Sequence, residues 1–439
     1  MLRIYTRISR VLVFSLLATA ATSSIVRGQG LGNSPYSALG IGELYPLGNA
    51  TNLGMGGIGI SNSSPFYLNL QNPALLGSRP PYTVFEVGLL GQSRVVSQNT
   101  GNATQVQRTF GGNLGYLALA FPASSRWSIS LNLRPYTGTN YSLTRTSAFQ
   151  GATQANALYS YTGKGGLNKA SVGTGYRVYK NIFVGAEASF MFGNITNSSE
   201  AWVDVSRIAQ SATAAKVNQL NRTSYSDIVW KLGAAWRPKL NDTWTLNIGA
   251  TYDPSTRLKG SETEIYQQTT LAGQDLASPD TIRNNASGRA TLPQQLSFGV
   301  SLERINRLLV GVDVSFQQWS QYRTVNDRPG NLSDGMSVAT GVEFTPKPTS
   351  NKYTDLITYR AGFQYNRLPY VVQGNQLNDI NVSAGLSLPV GAYYVNHITL
   401  SLIGGQRGVL TGTQIREQYV RMALGFSLTD RWFRKPVID

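Results

Sequence analysis

The sequence predicts a transmembrane β-barrel: an all-β wall of fourteen antiparallel strands, with an amino-terminal hatch folded into its lumen. Three observations carry this. Only 14% of the 439 residues are charged, against roughly 25% in soluble domains, so the exterior is not an ordinary wetted surface. No internal stretch supplies the ~20 apolar residues of a membrane-crossing helix. Hydrophobicity instead alternates residue by residue, which sends apolar side chains to one face of a strand and small or polar ones to the other.

Residues 1–28 read as a secretory signal peptide, with Arg3, Arg7 and Arg10 as a basic start and Val11 to Ala18 as a short apolar core. Cleavage after Ala20, in an Ala18-x-Ala20 pattern, and cleavage after Gly28 both fit. The chain is therefore expected to leave the cytoplasm of a double-membraned bacterium. It has no cysteine, which removes lipid anchoring, disulfides and thiolate chemistry. With His397 as its one imidazole, neither a zinc site nor any other metal or cofactor is expected. The net charge is +16, and +12 for a chain beginning at Gln29. Nucleic acid is a poor partner for an exported chain. Membrane lipid and lipopolysaccharide with their anionic headgroups, an acidic partner surface, or a pore favouring anions suits this charge better.

Residues 29–80 are rich in Gly, Asn, Ser and Pro and lack strict alternation. A barrel of this size has a lumen to fill, so this segment is expected to fold inside it as the hatch. Gly54, Gly56, Gly57 and Gly59 would permit positive φ and close approach to the wall. Asn72, Pro73 and Ala74 would make a tight turn before the first strand.

The barrel is assigned to residues 81–433, and 434–439 form a periplasmic tail. Alternation is plainest at the end, where Val420, Met422, Leu424, Phe426 and Leu428 form one face and Arg421, Ala423, Gly425, Ser427 and Thr429 the other. Strands are expected near 82–97, 105–121, 126–144, 167–178, 182–196, 226–237, 243–258, 286–303, 307–322, 335–346, 354–370, 378–389, 395–406 and 413–428. The even tally suits a bacterial barrel with both termini in the periplasm. Short connections alternate with longer ones, the longest at 145–166, 197–225 and 259–285. Trp127, Trp236, Trp244, Trp319 and Trp432 fall near strand ends, where indoles suit a membrane interface.

Several motifs resemble a known family. The run Ser34-Pro35-Tyr36-Ser37-x-x-Gly40-Ile41-Gly42-Glu43, then Gly54-Met55-Gly56-Gly57-Ile58-Gly59, then Asn72-Pro73-Ala74, is similar to the start of the long-chain fatty acid transporter (FadL) type of outer-membrane protein, nearest the branch common in Bacteroidetes. Asn396-His397-Ile398, Glu417-Gln418-Tyr419 and Asp430-Arg431-Trp432-Phe433 resemble the same branch. The resemblance implies a fourteen-stranded barrel with a hatch that admits small hydrophobic molecules such as fatty acids across the outer membrane. The alternative is a non-transporting accessory or structural subunit of an outer-membrane secretion or assembly complex, as some relatives are. It further implies a kink in the third strand that opens the wall sideways. Pro135 and Gly138 are the residues expected to mark such an opening, because proline cannot donate to the ladder; an early end to the strand would also place them there.

Catalytic chemistry finds little support. Gly54-x-Gly56-x-x-Gly59 copies a dinucleotide fingerprint, but Ser61 to Pro65 cannot open the helix that fingerprint requires. His397 has no recognisable serine or carboxylate partner. By parity Arg134, Arg177, Lys231, Arg237, Arg360 and Arg421 face the lumen, as do Glu187, Glu303, Asp313 and Glu343. These charges either pair to hold hatch and wall or guide an anion. Arg134, Arg360 and Arg421 are the candidate ligand residues, arginine being suited to a carboxylate by its bidentate geometry.

Overall fold

The computed structural model describes residues 30–64, 66–99, 104–148, 156–204, 215–391, 395–409 and 415–430. The wall strands are β1 (Thr83–Asn99), β2 (Thr104–Pro122), β3 (Trp127–Ala148), β4 (Asn156–Tyr179), β5 (Ile182–Asp204) and β6 (Ala215–Trp236). They continue with β7 (Trp244–Asp253 and Thr256–Thr270), β8 (Asp280–Leu292 and Gln295–Arg304), β9 (Leu308–Gln317) and β10 (Gly335–Phe344). The last are β11 (Thr358–Val372), β12 (Asn375–Val390), β13 (Asn396–Arg407) and β14 (Ile415–Asp430). With β7 and β8 each counted once across a break, the tally is fourteen. β14 pairs with β1 from Asp430↔Thr83 to Ile415↔Gln98, which closes the sheet so that the wall begins and ends at the same rim.

The two faces separate as alternation requires. Val382, Val420, Met422, Phe298 and Val312 are exposed on the outside, while their neighbours Ser383, Arg421, Ser297 and Asp313 are buried inward. A closed antiparallel wall leaves no open sheet edge at its closure and presents apolar side chains outward, the arrangement a bilayer demands.

Three features depart from the sequence expectation. The long connections at 145–166, 197–225 and 259–285 are largely strand: β5 and β6 run 23 and 22 residues, whereas β9 and β10 run ten each. One side of the wall therefore rises beyond the membrane. Its polar residues on both faces hid the strand signal, since alternation is visible only where one face meets lipid. Second, β7 and β8 break at Pro254 and Pro293, which sit level with each other because Leu292 pairs with Thr256 and Gln295 with Asp253. Proline removes a ladder donor on each strand. Third, Trp319 is not interfacial. It starts a 3-10 turn (Trp319–Gln321) and is buried with Tyr322 and Val325 against Tyr225, Leu258 and Leu292. Trp127 and Trp236 are exposed at the short-turn rim, Trp244 is half-buried, and Trp432 lies outside the described residues.

The hatch occupies the lumen. Among the described residues its one long-range ladder is the two-residue strand Glu43–Leu44, paired with β3. A short helix, α1 (Ala50–Leu53), opens with Asn49, whose side chain accepts from the Asn52 N–H in a capping box. The Ala50 carbonyl accepts from Ser401 Oγ of β13 at 2.7 Å. From the opposite wall, Asp313 of β9 accepts the Gly59 and Ile60 N–H groups at 2.6 and 2.8 Å. Polar wall residues thus satisfy hatch backbone that the hatch's own irregular structure leaves open.

Candidate functional site

Asn72 shows how the hatch is seated. Its Oδ1 accepts the Ala74 N–H at 3.0 Å, capping a 3-10 helix (Pro73–Ser78) in place of a simple tight turn. Its Nδ2 donates to the Ile60 carbonyl at 2.8 Å and the Ala234 carbonyl of β6 at 3.2 Å. Pro73 and Ala74 lie directly on wall glycines: a Cβ at Gly185 would fall 2.4 Å from the Ala74 nitrogen. Of the four glycines expected to need positive φ, Gly56 (φ 69°) and Gly57 (φ 89°) adopt it. Gly54 is right-handed at φ −67°. It is held to glycine by space, since a Cβ there would lie 2.6 Å from Ser401 Oγ. Gly59, which also lacks positive φ, is crowded by the Gln71 side chain.

The wall is incomplete between β2 and β3. Their pairing runs only from Pro122↔Ser128 to Leu117↔Leu133. β1 and β2 stay paired to Asn99↔Thr104, and β3 and β4 to Ala148↔Asn156. The seam therefore opens at Arg134 and Pro135, and the β3–β4 register shifts between Pro135 and Thr137. At ~3.3 Å per residue the opening begins about 20 Å along the strand from the short-turn rim, which at a tilt of about 40° is a height of ~15 Å, within a bilayer. Phe110, 74% exposed, and Leu114 face outward along the free edge of β2.

Hatch backbone stands in for the missing strand. Glu43 pairs with Gly138 and Leu44 with Thr137. The Tyr45 N–H donates to the Tyr136 carbonyl at 3.0 Å and the Ser34 N–H to the Asn140 carbonyl at 2.9 Å. The approach is close enough that Gly42 (φ 95°) would bring a Cβ within 2.7 Å of the Gly138 carbonyl oxygen. A cavity of about 900 Å³ lies along this seam, bounded by Leu31, Glu43, Tyr45, Asn113, Pro135 and Gly138. A lumenal cavity of about 180 Å³ lies on the other side of the hatch strand, and Tyr45 borders both. A third, of about 220 Å³, opens beneath the hatch beside Phe66, Tyr67 and His397.

A buried ion cluster fixes the hatch strand. The Glu43 carboxylate accepts from Arg94 of β1 at 2.7 and 2.8 Å and from Arg407 of β13 at 2.9 Å. Arg407 also donates to Asp379 at 3.1 Å, Tyr419 Oη donates to Asp379 at 2.9 Å, and Ser34 Oγ donates to Glu417 at 2.6 Å. The sequence reading did not single out Arg94, Asp379 or Arg407. Parity places them inward but says nothing of which charges meet across a lumen.

The three candidate ligand arginines differ. Arg134 donates to Glu187 at 3.2 Å and to the Leu70 carbonyl at 3.1 Å. Arg360 donates to Glu343 at 2.7 Å and stacks 5.1 Å above the Tyr67 ring. Both tie wall to wall or wall to hatch. Arg421 donates to Gln92 at 2.9 Å and borders the lumenal cavity. Among the described residues no ion pair engages it. His397 is buried between Phe66 and Tyr67, each ring centroid 5.1 Å away, and its Nδ1 has no hydrogen-bond partner among the described residues.

The sequence pattern of the BamG family matches residues 8–439. The chain belongs to the BamG family. No curated protein matches it. Solved structures share the fold of this BamG-family chain at low identity. The toluene transporter TodX of Pseudomonas putida is 16% identical, with 90% of this chain and 100% of that one covered and a TM-score of 0.56. A Pseudomonas aeruginosa FadL homologue is 15% identical (89% and 100% covered, TM-score 0.54). The monoaromatic hydrocarbon channel CymD is 14% identical (89% and 98% covered, TM-score 0.54). The FadL-type barrel expected from the sequence is thus the fold adopted. A closed wall with an apolar outer belt places the protein in the bacterial outer membrane.

Proposed function

We propose that this barrel passes small hydrophobic molecules such as fatty acids passively inward across the outer membrane, releasing them sideways through the β2–β3 seam. The observation that carries this is the end of pairing at Leu117↔Leu133, with a cavity of about 900 Å³ behind lipid-facing Phe110 and Leu114. An apolar solute leaving there avoids water. Pro135 and Gly138 are the residues proposed to shape the exit, and residues 29–80 the hatch that must shift. No catalytic residue is assigned; His397 is read as a packing residue of the hatch floor. Solved structures of the same fold include a monoaromatic hydrocarbon channel and a toluene transporter, which supports an apolar cargo.

The test locks the seam. The chain has no native cysteine, and Leu44 and Thr137 are paired neighbours across the hatch strand and β3. A Leu44→Cys/Thr137→Cys barrel, oxidised in lipid vesicles, is expected to pass decanol no faster than empty vesicles, with flux restored by reductant. Equal flux in both states overturns lateral release.

One observation favours a second reading. The hatch is clamped by buried ion pairs, and β3 to β8 build a tall polar wall beyond the membrane that a pore does not need. An accessory subunit of an outer-membrane complex fits both. Isolation from native membranes in fixed stoichiometry with other barrel proteins, together with full cellular function of the oxidised lock, would decide for it.

A further inference from the structure

We propose that Arg257, Lys259, Arg289 and Arg323 form a phosphate-binding patch on the outside of the wall, occupied by the phosphorylated headgroup of an outer-leaflet glycolipid. The patch is independent of what the lumen carries. The breaks in β7 and β8 put these side chains outside. Below the breaks the even-numbered Tyr252 of β7 and Leu296, Phe298 and Val300 of β8 are exposed to the outside. Above them Leu258, Ala290 and Leu292 are buried inward against Trp319 and Tyr322, so the odd-numbered Arg257, Lys259, Arg289 and Thr291 take the outer face. A slip of one residue at Pro254 and Pro293 exchanges the two faces of each strand. The ladder then gathers the cations. Lys259 pairs with Arg289, Arg257 with Thr291, and Thr291 on its other side with Arg323. All four cationic side chains are exposed. Ladder partners sit about 5 Å apart and successive residues of one face about 7 Å apart, so the four charges share a patch about 10 Å across.

The fold balances this charge poorly. Like charges directly opposite each other, as Lys259 and Arg289 are, weaken a sheet. Among the described residues Arg257, Lys259 and Arg289 form no ion pair, and Arg323 meets only the exposed Asp327, at 3.7 Å. Asp227 of β6 lies beside Lys259, but its carboxylate accepts the Ile228 and Lys259 backbone N–H groups at 2.8 and 3.0 Å. The height suits a lipid headgroup. From Trp244 at the short-turn rim to Tyr252, β7 rises about 26 Å along the strand and ~20 Å in height, close to the apolar belt of a bacterial barrel. Tyr252 Oη donates to Gln294 at 3.0 Å, the placement of a tyrosine at a membrane interface. Arg257 follows five residues later, just beyond the belt. Arginine grips phosphate with two parallel N–H bonds. A phosphorylated glycolipid brings phosphate to this level and lays its acyl chains against Tyr252, Leu296 and Phe298, which no soluble anion does.

The test is binding of diphosphoryl lipid A to the full barrel in neutral detergent, read by native mass spectrometry. The parent is expected to bind it at least about tenfold tighter than Arg257→Gln/Lys259→Gln/Arg289→Gln/Arg323→Gln, since each cation near an anionic lipid surface adds to the affinity. The same loss of charge at the short-turn rim, in Arg126→Gln/Lys180→Gln/Lys239→Gln/Arg307→Gln, should leave binding as in the parent; these four side chains are exposed there. Lipid A stripped of its phosphates should bind parent and patch variant equally weakly, and excess inorganic phosphate should not displace the intact lipid. A heat-conversion gel gives a second reading. Without lipid the patch variant should unfold at a temperature no lower than the parent, because a repulsion is removed; with lipid A only the parent should gain stability. Lys259→Gln/Arg289→Gln replaces the fourfold variant if that one fails to fold, and should already weaken binding. Equal affinity of parent and patch variant, the result if the cations serve an acidic protein instead, overturns the patch. Displacement by inorganic phosphate, or binding of the stripped lipid by the parent as tight as that of the intact one, overturns it too.

Discussion

Glu43 and Arg94 meet at 2.7 Å although they lie 51 residues apart, one in the hatch and one in the first barrel strand. Arg94 is fully buried and also faces Glu417. Truncating it leaves Glu43 and Glu417 to share Arg407 alone, and breaking a buried ion pair in this way costs about 3–5 kcal/mol. Arg94→Met is therefore expected to lower markedly the temperature at which the folded band converts to the unfolded one on a semi-native gel. Adding Glu417→Gln should recover part of the loss, because one of the two carboxylates left competing for Arg407 is removed. A single mutant as heat-stable as the parent would mean that the cluster does not hold the barrel.

The outward position of Val382 gives a test of the lipid-facing wall. It is 59% exposed, and on a wetted surface Val382→Arg would change stability by no more than about 0.5 kcal/mol. At mid-bilayer the same change costs about 2–4 kcal/mol. Unfolding by urea in lipid vesicles should show the larger figure. The control is Val217→Arg in the tall part of β6, an exposed site beyond the membrane where the smaller figure is expected.

How much of this was legible beforehand depends on what each residue touches. Val420 to Thr429 alternate because one face meets lipid and the other the lumen, so β14 could be read directly. Residues 197–204 and 215–225 are paired strand with polar side chains on both faces, and their pattern resembles a loop. Pro254 and Pro293 were visible, but only the ladder shows that they break two neighbouring strands at one level. The ion cluster was least legible. Glu43 and Arg407 are 364 residues apart, and inward parity leaves height and position around the barrel undetermined. Trp319 misled because an indole near a strand end suits either an interface or a loop folded back over a core.

The close seat of the hatch predicts a separable defect. A Cβ at Gly362 of β11 would lie 2.0 Å from the Gly56 nitrogen, backbone against backbone. Gly362→Ala must therefore lift the segment around Gly56, breaking its 2.8 Å bond from the Gly56 N–H to Ser383 Oγ. The wall strand itself is compatible with alanine. Heat conversion of the barrel should change little, while limited proteolysis should begin to cut near residues 54–60. Protection equal to the parent would show that the hatch has room to adjust.

The inward fold of Trp319 leads to the last prediction. Its ring centroid lies 6.0 Å from that of Tyr322, and both are buried against the tall wall. Arg323 next in the chain bridges to Thr291 of β8, so the segment 318–334 covers the barrel mouth on the side where β7 and β8 are broken. Removing a buried indole costs about 3–5 kcal/mol, more than one short surface segment gains from two isolated bridges. In Trp319→Ala that cost should fall on the segment and not on the whole sheet. β9 and β10 remain paired over their full ten residues on either side of it. Protease should cut within 318–334 in the variant and not in the parent, with heat conversion of the remaining barrel nearly unchanged. If solute passes through this mouth, vesicle uptake should rise in the same variant, because the cover also borders the lumenal cavity through Trp319.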